Sequence, residues 1–383
     1  MRHSKLVAFA CLYGSLAASA FCFDGLSSQW RRKSTASKSR MSTLQSVQSE
    51  DELSSDGINR RHLLYSMLVA VAGSTTIKHQ AIAYTDGVLP LTSPSVDWEK
   101  TREIMKPPLD DRDYMVYMME NGLRVILCSD PTSNEGGAAM DVHVGACSDP
   151  QEIPGLAHFN EHMLFLGTKE YPKEDSFEEF LAVNGGSSNA YTASEDTVYH
   201  FTMQAEADEK LIEGLRRFGS FFTSPLFTEG ATGRELNAIE SENAKNLQSD
   251  SFRVYQIEKS RQNSDHPHSK FFTGNKKTLL EDSKRNGMNL RDELINFYSK
   301  YYSANQMTLA VVGPQSLESL EKMCNDAFGR VPNRKSPKPE DQWKGIIPPF
   351  SGNSIIPSFS HIVKLVPVQD LRQVTLSWPI VYA

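Results

Sequence analysis

The residues whose types and spacing can do chemistry are His158, Glu161 and His162, in the run His-Phe-Asn-Glu-His. On a helix, positions i and i+4 share a face, so both imidazoles can reach one cation at about 2.0–2.1 Å each. Glu161 adjoins His162 and lies three residues after His158. Its carboxylate therefore sits beside the ion without having to be a ligand. Zinc lowers the pKa of bound water toward ~7, and a neighbouring carboxylate then acts as general base. The parts are those of a metalloprotease His-Glu-x-x-His motif in inverted order. A lone helical histidine is more often a packing residue; two at this spacing around a glutamate point to metal.

A catalytic zinc takes three protein ligands and keeps one position open. Candidates for the third are Glu235, Glu240 and Glu242 on a long helix predicted over 229–262. Glu235 and Glu242 are seven residues, or two turns, apart, so both can face the first helix while Glu240 points away. The residues alone leave Glu235 and Glu242 as alternatives.

The elements that must position these groups are legible in the pattern. Apolar runs 114–118 and 123–128 flank Asn121-Gly122, a strong hairpin signal, and 138–144 reads as a third strand. Pro154 suits the first turn of a helix that ends at Gly167 and carries the His-x-x-Glu-His run. A short helix over 176–183 stops at Asn184-Gly185-Gly186, and strands follow at 188–192 and 197–204. Helices at 207–222 and 229–262, a helix at 290–302, a strand at 307–313 and a helix at 316–328 complete the unit. Hairpins first and helices on one face predict an α+β domain with an antiparallel-rich sheet, not a doubly wound parallel one. Residues 329–342, rich in Pro and Lys, read as a linker. Strands at 360–366 and 373–378 would begin a second unit over 345–383, which the sequence does not carry far enough to close.

Three blocks resemble the M16 peptidases, most closely the insulysin/nardilysin branch: 158–168 (HFNEHMLFLGT), 186–192 (GSSNAYT) and 234–246 (RELNAIESENAKN). The likeness extends through 255–259 (YQIEK), 266–280 (HPHSKFFTGNKKTLL) and 301–309, roughly 97–383 in all. It implies the LuxS/MPP-like metallohydrolase fold over 97–335, one Zn2+ per chain, and a metalloendopeptidase acting on short or extended peptides. It places the third ligand at Glu242, an accessory carboxylate at Glu235, and substrate docking at Asn189 and Ala190 in an edge strand. Relatives of this branch have two halves that close over the peptide, and nothing here matches the Arg and Tyr of the later half. A complementary M16 half or a homo-oligomer is therefore the expected partner. Two rivals stand beside the peptidase: a non-catalytic M16 subunit, which typically loses ligands or the base, and an organellar presequence-processing peptidase.

The charge of −7 is a sum of unlike parts. Residues 1–83 hold 10 basic and 5 acidic side chains, and 84–383 hold 30 and 42. An acidic body argues against nucleic acid or an anionic membrane as partner, and no run of 18 apolar residues is present to span a bilayer. Arg2 and Lys5, the apolar stretch 6–18 and Ala18-Ser19-Ala20 have the order of a signal peptide over 1–20. Residues 25–49, with five basic residues, eight Ser and no acid, have the composition of a transit peptide. Arg60-Arg61, the apolar run 63–73 and Ala81-Ile82-Ala83 resemble a twin-arginine signal. Together they resemble a plastid leader of a secondary-plastid alga, extending to the thylakoid lumen if the last element is used. Secreted, endomembrane or mitochondrial delivery is the alternative. Cys11 and Cys22 fall in the leader, and Cys128, Cys147 and Cys324 match no zinc or redox spacing.

Overall fold

The computed structural model describes residues 98–102, 104, 106–346, 349–350 and 362–376. The leader elements over 1–83 lie outside the described residues. Six strands form one sheet: β1 (Asp113–Met118), β2 (Arg124–Ser129), β3 (Glu135–Val142), β4 (Ser187–Thr192), β5 (Thr197–Gln204) and β6 (Met307–Gly313). Their order is β1-β2-β6-β3-β5-β4. All neighbours are antiparallel except β2 and β6. The late strand β6 thus enters the middle of the sheet.

Period-2 alternation gives the sheet two unlike faces. Val125 and Leu127, Met140 and Val142, Tyr199, Phe201 and Met203, and Met307, Leu309 and Val311 are all buried. The intervening residues of β2, β5 and β6 are partly or fully exposed. The helices are α1 (Leu156–Leu164), α2 (Ser176–Val183), α3 (Asp208–Phe221), α4 (Glu229–Asn246), α5 (Asp250–Ser260), α6 (Leu290–Tyr301) and α7 (Leu317–Phe328), of which α1, α2, α3 and α7 pack against the sheet. A π-helical turn, Lys277–Asp282, lies between α5 and α6. Helix α3 buries Leu211, Leu215, Phe218 and Phe222, one stripe at helical spacing. The ring of Phe218 meets Phe177, Phe201, Phe221, Phe222 and Phe328 at centroid separations of 5.2–6.3 Å.

Three expectations need correction. The helix bearing His-x-x-Glu-His begins at Leu156, not Pro154, because Gly155 takes a left-handed φ of +96° that ends any helix before it. The helix expected over 229–262 is two, α4 and α5. Ser249 is extended, with φ −97° and ψ 118°, and Ser249-Asp250-Ser251 is the kind of polar triplet whose side chains favour a helix start over a helix interior. Residues 362–376 contain no strand: a strand needs a ladder partner, and none pairs with them among the described residues. They are instead tied to α5, where Asp250 accepts the N–H groups of Val368 and Gln369.

Residues 329–342 do not hang free. Ser336 O accepts from Asn305 Nδ2 (2.8 Å) and Gln306 Nε2 (2.7 Å), and Asn333 Nδ2 donates to Asn121 O at 2.7 Å. His143, just beyond β3, stands between Asp196 (2.7 Å) and Glu340 (3.0 Å), joining the β4–β5 turn to this segment. Cys128, Cys147 and Cys324 are free thiols. Among the described residues no helix is long and apolar enough to cross a membrane.

Removing the Phe218 ring leaves a cavity between sheet and helices. Phe218→Ala should cost about 3–5 kcal/mol, read from urea unfolding. The hydrogen bond to Asp196 raises the His143 pKa to about 9, against burial and with help from Glu340. Because this lies above the ordinary 6.5, the stabilisation is complete below pH 6.5 and is lost as pH climbs through about 9. The melting temperature should fall over that window in the unmodified chain, and His143→Gln should flatten the fall.

Candidate metal centre

Helix α1 starts against an unusual cap. Gly155, its N-cap residue, has no side chain to satisfy the free N–H groups. Asp149 does so from outside the helix, its two oxygens accepting from Gly155 N and Ala157 N at 2.7 Å each. From this start, one face of α1 buries Leu156, Phe159 and Met163 in the core. The other turns His158 and His162 toward α4.

The structure brings His158, His162 and Glu242 together. Their candidate ligand atoms all lie within 4.8 Å of one another. Glu242 Oε2 is 3.5 Å from His158 Nε2 and 3.6 Å from His162 Nε2. A tetrahedral ion with bonds of about 2.0–2.1 Å separates its ligands by about 3.4 Å, close to both Glu242 distances, while the set as a whole spans up to 4.8 Å. The tautomers fit too. His158 Nδ1 is 2.7 Å from Thr273 O, and His162 Nδ1 is 3.1 Å from Glu235 Oε2. Both partners only accept, so each Nδ1 carries a proton, and Nε2 is in each ring the nitrogen turned toward Glu242.

Glu235 thus touches His162 from the side away from the junction. Glu240 is turned elsewhere, accepting the Lys276 N–H at 2.8 Å. Glu161, nearly buried, accepts a 2.6 Å hydrogen bond from Thr192 Oγ1 at the end of β4. Asn189 and Ala190 lie in β4, an edge strand of the sheet, paired with His200 and Tyr199 on one side only among the described residues. The edge therefore leads straight to Glu161.

Electrostatics favour a cation here. Burial works against a charged His162, but the bonds to Glu235 and Glu242 and the charge of Glu161 prevail and raise its pKa to about 10. Burial pushes Glu242 up, yet His162 and His158 bring it below its usual value. Three carboxylates around two imidazoles are an excess of negative charge.

Sequence reasoning missed Thr273, Thr192 and Asp149. The 266–280 block was the one signal for Thr273, and its likeness to a family carried no role.

The insulinase (peptidase family M16) profile matches residues 124–265, and the peptidase M16 inactive-domain profile matches 289–383. The second match contains β6, so both fall on the same sheet. Human insulin-degrading enzyme is 44% identical over 269 residues, 70% of this chain and 25% of that protein. The A-factor-processing enzyme of Saccharomyces cerevisiae is 40% identical over 279 residues, 73% of this chain and 26% of that protein. The crystal structure of pitrilysin aligns with a TM-score of 0.59 at 36% identity, over 63% of this chain and 25% of that one. The chain spans about a quarter of the length of the curated relatives it matches. With the inverted zinc motif on α1, the six-stranded sheet beneath it and these matches along its length, the chain belongs to the M16 insulinase family of peptidases.

Proposed function

We propose that the chain is a zinc metalloendopeptidase whose ligands are His158, His162 and Glu242, with Glu161 as general base and one zinc per chain. The observation that carries this reading is the convergence of two Nε2 atoms on Glu242 Oε2, with Glu161 on the same helix. Bound zinc would supply a Lewis acid that polarises the scissile carbonyl and acidifies water. Thr192 occupies Oε2 of Glu161, leaving Oε1 to take the proton of the attacking water and pass it to the leaving amine. Glu235 keeps the Nδ1 proton of His162 in place and so leaves Nε2 as the nitrogen a cation would take.

The substrate is a peptide in extended form. The free edge of β4 at Asn189 and Ala190 pairs with its backbone, which supplies affinity with little demand on side chains. Ile362, Val366, Val374 and Leu376 are each at least 71% exposed, apolar surface suited to a complementary M16 half. A scaffold role without catalysis is the weaker reading, because the motif residues and Glu242 are all present. The basic, Ser-rich leader supports delivery to a plastid; a fluorescent fusion of residues 1–83 found outside plastids would refute that.

The full chain should bind about one zinc, measured by metal analysis after dialysis, and His162→Ala should abolish it. A zinc-free unmodified chain would sink the ligand set. Glu161→Gln should keep its zinc and lose at least ~100-fold in cleavage of a quenched fluorescent peptide, assayed alone and with a complementary M16 half. Undiminished cleavage by this variant would remove Glu161 as base.

A further inference from the structure

The 266–280 block has no part in the ligand set, yet it contains Thr273, whose carbonyl meets His158. A backbone carbonyl can select a tautomer only if its own position is held, and three residues before Thr273 stands Lys270, whose side chain reaches the loop ahead of α1. Lys270 Nζ donates to Cys147 O at 2.9 Å and to Asp149 O at 2.5 Å, two carbonyls of the loop that leads into α1. The side chain of that same Asp149 caps α1. The contacts therefore form a closed ring: α1 to Asp149, Asp149 to Lys270, along the chain to Thr273, and back to α1 at His158. Gly155 and Gly274 seal its middle. A Cβ on Gly155 would lie 2.3 Å from Gly274 Cα, so the two backbones touch where no side chain could stand. Gly274 has φ +71°, a left-handed turn placed directly after Thr273.

We infer that Lys270 is a positioning residue of the metal centre. By anchoring the 270–274 segment to the loop ahead of α1, it holds Thr273 O against His158 Nδ1–H and keeps His158 Nε2 free for the cation. This inference rests on the metal-centre reading and deepens it. Lys270 touches neither ligand nor substrate; it acts through Thr273. An ammonium with three donors on a long stem can bridge two carbonyls two residues apart, which a shorter or single donor cannot do. Without that bridge the segment keeps its packing of Phe272 against Lys259 and His268 and the Gly155–Gly274 contact, but loses its hydrogen bonds to the loop that caps α1.

The test reads tautomer and metal separately. Long-range 1H–15N spectra of the zinc-free full chain report the protonated nitrogen of each imidazole, and His158→Gln identifies the His158 signals. In the unmodified chain His158 should be protonated at Nδ1. In Lys270→Met its signals should shift to a mixture of tautomers, and zinc affinity by chelator competition should fall about 10–100-fold. Lys270→Arg, which keeps several donors, should recover most of both. A His158 protonated at Nε2 and not at Nδ1 in the unmodified chain would overturn the inference, as would Lys270→Met with unaltered tautomer and affinity. If Lys270→Met fails to fold, Lys270→Gln, whose shorter amide cannot bridge both carbonyls, carries the same two readings. Should the unmodified chain bind no zinc, the metal-centre reading fails, while the tautomer comparison still decides the role of Lys270.

Discussion

The buried carboxylate of Asp149 is the contact on which the site depends. It lies 3% exposed and satisfies two of the N–H groups that every α-helix leaves open at its start. Burial raises its pKa to about 7, and the two N–H bonds together with Lys270 and Lys259 work against that rise. A charge in such a place is costly unless it is fully bonded. Here the bonds go to the helix that carries His158, Glu161 and His162, so the cost is offset where the geometry is needed. Gly155 is free to be a glycine, and to pack against Gly274, because the cap comes from elsewhere.

The sheet supplies the second constraint. Its buried face is filled by aromatic and aliphatic side chains from α2, α3 and α7, a rigid platform that leaves α1 beside the outer strand β4. The Thr192–Glu161 hydrogen bond joins that strand to that helix at 2.6 Å. The edge on which an extended peptide could lie and the carboxylate proposed as base are thus parts of one rigid arrangement. Beneath Glu161, the hydroxyls of Tyr199 and Tyr302 meet at 2.6 Å in the fully buried interior. Burial raises both phenols, so they stay neutral and add no charge to the site.

Charge supplies the third. Glu161, Glu235 and Glu242 surround two imidazoles, and Glu235 and Glu242 meet His162 on opposite ring nitrogens. The raised pKa of His162 is what such a cluster does with a proton when no cation balances it. A divalent ion would replace that proton with a better-matched charge, and the Nδ1 contacts to Thr273 and Glu235 leave the nitrogens oriented for it.

Much of this was legible in the residues because the information is local. Apolar runs between turn residues marked the strands, i,i+4 spacing put both histidines on one helical face, and Asn121-Gly122 marked the first hairpin, where Gly122 has φ +86°. The α+β class and the facing of the two histidines needed nothing more. Local pattern did not decide between Glu235 and Glu242, because both lie on the face of α4 that looks at α1; the tertiary fold sets one at the Nε2 junction and the other at Nδ1. It also did not show that the long helix breaks at Ser249, since no Gly or Pro marks the break. Nor did it show that β6 enters mid-sheet, or that Thr273 bonds His158 from 115 positions away. Such contacts join groups whose neighbours in the chain say nothing of each other, and only the packed fold, by bringing them within hydrogen-bond reach, assigns them partners.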